Sequence, residues 1–557
     1  MALALATGAA LASSAAASTL ERTLHPGDTG DGVRLVVSAG ESHVVRSAPR
    51  VRASAHRVGR RRSLSYFAHL TDLHIADEAS PARFERLYSR SRAFGGFWRP
   101  QEAFGPHVVD QTVRAVNAHA TSSLASAGGA AQLGFALVTG DLADNAQANE
   151  VRWAVRTLDG GRVDPFSGRR VSSRNPCRAS RAVIRRLNRA VAQRRYAGVR
   201  GPAFPGVARS WPGALGRAQQ PFTAEGLRVP WYSVRGNHDA LPQGHFGPAD
   251  VRPRSAPTGC RKIFAPPGRR SAGGADPWRG MGSSLSRGRF VPPDERRRFL
   301  RSAADYRRLH GRGDRGHGFG FTAAGEHRRS RGHALYYAYS PRPELRFVAL
   351  DTTADAGGSG GNVDHPQYRW LARQLSAAQR LHQLVVVYGH HPLEMMGNRA
   401  HDELAGSFDR DPRGSLPLHL GRTGPASLRS LLLRHPNVIL YVAGHKHYNR
   451  VWPNFRRHGS GFWQVITSSL AGAPQQARLI ELMDNTDGTL SVFTTMLDHR
   501  APVAPPPPGP ATSLGPAELA SISRTVAWAR RGGRATSTRT MRNVELVLDD
   551  PRRPAGR

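Results

Sequence analysis

Two residue types are nearly absent from this 557-residue chain: cysteine, with two copies, and lysine, present only as Lys262 and Lys446. Two cysteines cannot build a disulfide-rich framework or a thiolate zinc site. Cys177 and Cys260 leave open either one disulfide outside the cytoplasm or two plain thiols. The formal net charge of +38 invites a nucleic-acid partner, but nearly all of it is arginine scattered from end to end. Scatter of that kind reads as compositional bias rather than a patch, although its field would still draw anionic substrates. Past the first residues no apolar run is long enough for a membrane-spanning helix. Hydrophobic residues, at 39%, suffice for one sizeable core, and 59 glycines with 40 prolines set long irregular segments around it.

The chain opens with an apolar, alanine-rich stretch, Met1 to Ala12, followed by Ala15-Ala16-Ala17. These are the hydrophobic region and small-residue cleavage site of a secretory signal, without a basic residue before Arg22. We therefore read 1–30 as an export signal clipped at its start plus the mature N-terminus, and expect a secreted or cell-envelope protein. Residues 31–62 read as an N-terminal extension and 63–500 as one α/β domain. Two Arg-, Gly- and Pro-rich stretches, about 160–228 and 245–332, break that domain as insertions. Residues 501–557 read as a Pro-rich linker around Pro505–Pro508, a short helix near Pro516–Arg530 and a polar tail.

Within 63–500 the same unit occurs five times: an apolar run reading as a buried strand, then a polar loop. The clearest is Val438-Ile-Leu-Tyr-Val-Ala-Gly-His-Lys-His447, where two histidines follow a glycine that lets backbone approach closely. The other loops are Asp72-x-His74, Gly140-Asp141-x-x-Asp144, Gly236-Asn237-His238-Asp239 and Gly389-His390-His391-Pro392. Each alone could be a capped turn or a solvated histidine. Together, at the strand ends of one α/β sheet edge, they pool carboxylate, imidazole and amide donors, a set suited to Mn, Fe or Zn.

In this order the residues resemble the calcineurin-like metallophosphoesterase superfamily, whose DxH, GDxx(D/N), GNH(D/E), His-before-Pro and GHxH motifs are all present. The long insertions are similar to an exported actinobacterial group within it. The resemblance implies a four-layer α/β/β/α sandwich of two mixed sheets with large loop insertions. It also implies two divalent or trivalent transition metal ions. Asp72, His74 and His447 would hold one and Asn237, His390 and His445 the other, with Asp141 shared. His390 is preferred to His391 on the family's His-x-Pro spacing. His238 would contact the phosphoryl group or protonate the leaving oxygen, oriented by Asp239. The implied reaction is phosphoester hydrolysis by a hydroxide bridging two cations, which neutralise attacking and leaving oxygens. A phosphodiesterase on small-molecule esters is expected, with a phosphomonoesterase or nucleotidase as the alternative. Nucleic acid stays admissible as a substrate, with a non-catalytic or nucleic-acid-binding protein as the remaining rival. Asp144 stands where purple ferric members are expected to carry tyrosine, which argues against that branch. Arg235 and Lys446, flanking the motifs, are candidates for contact with substrate phosphate.

Overall fold

Leu384-Val-Val-Val-Tyr388 has no polar residue, so a strand made from it must be covered on both faces. The computed structural model covers it that way; it describes residues 17–27, 34–83, 98–172, 176–194, 205–247, 256–262, 289–311, 314–355, 357–397, 427–457, 459–531 and 537–553. Val386 and Tyr388 face a second sheet, whereas Val385 and Val387 join Trp370, Leu371 and Leu375 of the helix His365–Arg380. Tyr368, Leu371, Leu375 and Ala378, at helical spacing, form that helix's apolar stripe.

The strand belongs to a six-stranded sheet ordered Arg450–Phe455, Gly461–Ile466, Val438–Ala443, Leu384–Tyr388, Leu345–Ala349, Tyr337–Arg342. Its four middle strands are parallel and the two outer ones antiparallel to their neighbours. The other sheet has seven strands, ordered Val44–Ser47, Val544–Asp549, Thr489–Asp498, Gln476–Asp484, Arg62–Leu70, Phe135–Val138, Trp231–Ser233. Both sheets are mixed. They meet through Phe67 and Phe135, whose rings sit edge-on to Phe347 at 5.4 and 5.1 Å between centroids. Helices Gly105–Ala118 and Ala148–Asp159 cover the outer face of the seven-stranded sheet, and His365–Arg380 with Leu428–Arg434 cover that of the six-stranded one. This is the α/β/β/α sandwich expected.

The C-terminal segment differs from the reading of 501–557 as linker, helix and tail. The proline stretch is docked rather than free: Trp211 Nε1 donates to Pro506 O at 3.0 Å, and Gly509 N donates to Ser210 O at 2.8 Å. The helix Pro516–Arg530 forms as expected. Beyond it, Val544–Asp549 is a strand of the seven-stranded sheet, paired with Thr489–Asp498 on one side and Val44–Ser47 on the other. Being flanked on both sides and covered on both faces, it is core. Leu546 is completely buried, so Leu546→Ala should cost about 2–5 kcal/mol in chemical denaturation. A cost below about 1 kcal/mol would mean the strand is peripheral.

In the N-terminal extension, Arg34–Ala39 is a strand paired with Arg22–Gly27 in a small separate sheet. Residues 1–16, where the signal is expected, lie outside the described residues. The cysteine alternative resolves to a disulfide: Cys177 and Cys260 are bonded, which joins the first insertion to the second. Among the described residues no helix is long and apolar enough to cross a membrane.

Candidate metal centre

Strands Arg62–Leu70, Phe135–Val138 and Trp231–Ser233 run parallel, as do Leu384–Tyr388 and Val438–Ala443 across the sandwich. Their C-terminal ends therefore open on one edge, and the five polar loops meet there. The loops are tightly set. Asp72, His74, Asp141, His445 and His447 all take left-handed backbone conformations, with φ between 45° and 67°. Such conformations cost non-glycine residues of order 1 kcal/mol or more each and persist where surroundings enforce them. Gly236 and Gly444 are required by proximity. A Cβ at Gly444 would overlap Thr71 Oγ1 and Asp72 Oδ2, and one at Gly236 would overlap Asp141.

All seven expected ligands converge. His447 Nε2 lies 3.1 Å from Asp72 Oδ1 and 3.2 Å from His74 Nε2. On the other side, Asn237 Oδ1 is 3.0 Å from His390 Nε2 and 3.1 Å from His445 Nδ1. Asp141 Oδ2 stands between the halves, 3.6 Å from His74 Nε2 and 3.3 Å from His390 Nε2. His390 aims Nε2 inward because its Nδ1 pairs with the Thr139 carbonyl at 2.8 Å. His391 is turned to Thr352 Oγ1 at 2.8 Å, although one of its ring nitrogens still lies within 4.8 Å of donor atoms on His390 and His445.

The donor set suits cations. Asp72 Oδ1 is buried and accepts no hydrogen bond, and two carboxylates, one amide oxygen and four imidazoles share a water-poor space. Its electrostatics show a deficit of positive charge. Burial alone would push Asp141 up, but His390 and His238 hold it well below the usual carboxylate range. Burial would push His390 down, but Asp141 and Asp72 outweigh it and raise the ring to about 9. His74 and His445 are held low, chiefly by burial, so their neutral rings offer lone pairs; His445 falls to about 3.

The reading of His238 and Asp239 needs one correction. His238 is in place, its ring edge-on to His74 at 4.5 Å and its backbone N–H donating to Asp141 Oδ1 at 2.8 Å. Asp239, however, does not orient it. Residues Asn237–Ala240 form one helical turn, on which neighbouring side chains diverge. Asp239 instead accepts from the N–H groups of Ala143 and Gly236, each at 2.9 Å, and from Tyr306 Oη at 3.3 Å. It fastens two motif loops from behind, and burial followed by the Asp141 charge raises it to about 7. The His238 ring is oriented by the Asp144 carbonyl, 2.6 Å from Nδ1. A carbonyl only accepts, so Nδ1 carries a proton and Nε2 is the atom that exchanges one.

Asp144 has a role that the motif spacing alone did not reveal. Its Oδ1 lies 3.2 Å from His74 Nδ1, fixing the ring so that Nε2 faces His447. Asp144→Asn should weaken metal binding about 10–100-fold, read by metal titration; unchanged affinity would remove the orienting role. Behind Asp144 stands Arg99, 3.8 Å away, paired with Glu102, which also binds Arg83 at 2.7 Å. Nothing in the sequence marked these three, because they lie between motifs. Of the residues suggested to touch phosphate, Arg235 is committed to Asp351 and Asp355, at 2.9 and 2.8 Å.

Residues 198–449 match the family model described as calcineurin-like phosphoesterase. That span contains Asn237, His238, Asp239, His390, His445 and His447, while Asp72, His74 and Asp141 precede it. No curated protein matches the chain. Among solved structures it is similar to the crystal structure of a dimetal phosphatase from Danio rerio, with 13% identity and a TM-score of 0.33, covering 78% of this chain and 99% of that one.

Proposed function

We propose that this chain, whose residues 198–449 match the calcineurin-like phosphoesterase model, is a metallophosphoesterase of that superfamily, that its substrates are phosphodiesters and that it works outside the cytoplasm. The observation that carries the reading is the position of Asp141 Oδ2 between two donor groups, one built on Asp72, His74 and His447, the other on Asn237, His390 and His445. A pair of Mn, Fe or Zn ions held there would acidify water and neutralise charge on the phosphoryl oxygens. The remaining work falls to the chain. His238, with Nδ1 fixed by the Asp144 carbonyl, would deliver a proton from Nε2 to the departing alkoxide. Asp239 and Tyr306 hold the loop that carries it.

The choice of diester over monoester rests on charge. A monoester dianion calls for cationic side chains beside the metals, whereas a diester carries a single negative charge. Of the cations beside the cage, Arg99 is already neutralised by Glu102 and Arg235 by Asp351 and Asp355, which leaves Lys446, between His445 and His447, to meet a single negative charge. With Mn²⁺-loaded protein, kcat/KM for bis(p-nitrophenyl) phosphate should therefore exceed that for p-nitrophenyl phosphate. The reverse order would transfer the assignment to a phosphomonoesterase. The Cys177–Cys260 bond supports an oxidising location; reduced thiols in freshly isolated native protein would oppose it.

A further inference from the structure

The segment that carries two candidate ligands continues, without a break, into a surface of a different kind. After His445 and His447 come Tyr448, Asn449 and the strand Arg450–Phe455, which lies at the edge of its sheet with a partner on one side only. From Tyr448 onward the chain alternates. Asn449 and Val451 are buried, Tyr448 and Arg450 are half-buried, and Trp452 is 46% exposed. Trp452 is the sole aromatic among the large apolar side chains exposed in the described residues. Lys446 Nζ lies 6.0 Å from the centre of the Tyr448 ring. The Arg450 guanidinium lies 5.9 Å from that ring and 4.4 Å from Trp452. Lys446, Tyr448, Arg450 and Trp452 thus form one continuous row of cation, ring, cation, ring that begins between the ligands and leads away from them. Among the described residues neither Lys446 nor Arg450 pairs with a carboxylate.

We propose that this row is the binding track for a single-stranded oligonucleotide whose scissile phosphodiester enters the metal centre. The inference rests on the phosphodiester reading above and names its substrate class. A row of alternating positive charge and π-face is what a single strand requires: phosphates take the cations and unstacked bases take the rings, with little regard to sequence. Arg450 and Trp452, alternate residues of the strand, stand about 6.6 Å apart on one side of it, and Tyr448 and Lys446 carry the row on from there towards the cage, so its contacts lie along a line rather than at a point. A small ester would need only the metal cage. A duplex keeps its bases stacked inside and could use only the charges. The location also separates this surface from the chain's general arginine excess, because its members touch one another and adjoin the cage.

The test is fluorescence anisotropy with a labelled twelve-residue oligo(dT), measured on full-length protein in EDTA so that binding is read without turnover. Wild-type protein should bind the single strand more tightly than a duplex of equal length. Trp452→Ala should weaken binding about tenfold or more, and Trp452→Phe should restore most of it, since stacking needs a ring but not an indole. Arg450→Gln should reduce the slope of log K against log salt by about 0.7, the value of one lost phosphate contact on a single strand. After Mn²⁺ loading, the ratio of kcat/KM for the oligonucleotide to that for bis(p-nitrophenyl) phosphate should fall in Trp452→Ala. Unchanged affinity and slope in these variants, or equal binding of duplex, overturns the proposal. If the aryl diester is cleaved while the oligonucleotide is neither bound nor cut, the track is wrong and the phosphodiesterase reading stands. If track-dependent binding is found but no ester is cleaved, the track stands and the phosphodiesterase reading falls.

Discussion

Replacing Asp141 with Asn is expected to cut turnover of an aryl phosphodiester by about a thousandfold, the upper end of what one preorganised electrostatic group supplies. The far-ultraviolet circular dichroism should stay native. The two side chains have nearly the same shape, and the amide oxygen can keep the hydrogen bond that Oδ1 now accepts from His238 N–H at 2.8 Å. What is lost is the anion between the two halves, with Oδ2 3.6 Å from His74 and 3.3 Å from His390. An amide group there turns N–H donors or a single neutral oxygen towards donors that already face inward. Only a carboxylate places a negative oxygen between the two halves without adding positive charge. The bound metal should therefore fall from two ions per chain to about one or fewer, read by elemental analysis beside the rate. The folded state should lose some stability at neutral pH, because His390 and His238 favour the ionised Asp141 in the fold and that attraction disappears, while the fold itself persists. Two ions and wild-type turnover in the variant would contradict a shared centre. Loss of both together with loss of the native spectrum would instead make Asp141 a folding residue.

The parts of this centre that could be read in the sequence share one physical property: strand ends are marked by apolar runs, and parallel strands deliver their ends to one edge. Val438–Ala443 and Leu384–Tyr388 announce themselves by composition, and the polar residues that follow must then meet. What lies across the fold leaves no such trace. The family resemblance made Asp239 the partner that orients His238, yet on one helical turn adjacent side chains point apart and Asp239 finds Ala143 and Tyr306 instead. Asp144 was visible as part of a loop, but its hold on His74 depends on how two loops pack. Val544-Glu-Leu-Val-Leu-Asp549 has the apolar content of a strand. Set in an arginine-rich, polar region, it was read as tail because its partners lie some fifty residues earlier and at the far N-terminus. The aromatic and cationic row that begins at Lys446 was likewise hidden, since its members are unremarkable until the bend around His447 and the strand Arg450–Phe455 bring them against one another.

The pairing of Cys177 with Cys260 was equally beyond reach of spacing, and its removal should lower stability by several kcal/mol. The bond closes a loop over a sequence separation of 83. In the chain-entropy description such a closure destabilises the unfolded state by about 4–5 kcal/mol. Changing both cysteines to serine should lower the free energy of unfolding by an amount approaching that figure. The damage should be local in the folded protein. Cys177 packs with Val171, Ala179 and Leu187 in a small cluster that is separate from the main core. From Cys260 the chain runs to Lys262, whose Nζ donates to Glu78 O at 2.8 Å, four residues beyond the candidate ligand His74. Nearby, Arg297 of the second insertion and Ser167 of the first both bind Asp77. The insertions thus grip the loop that follows His74 from two sides, and the disulfide holds the grip closed. Amide exchange in the serine variant should speed up around 176–192 and 256–262 while the strands of the sandwich keep their protection. KM for larger diesters should shift before kcat for a small aryl diester does. Equal denaturation midpoints with and without the bond would show that the insertions are held by packing and ion pairs alone.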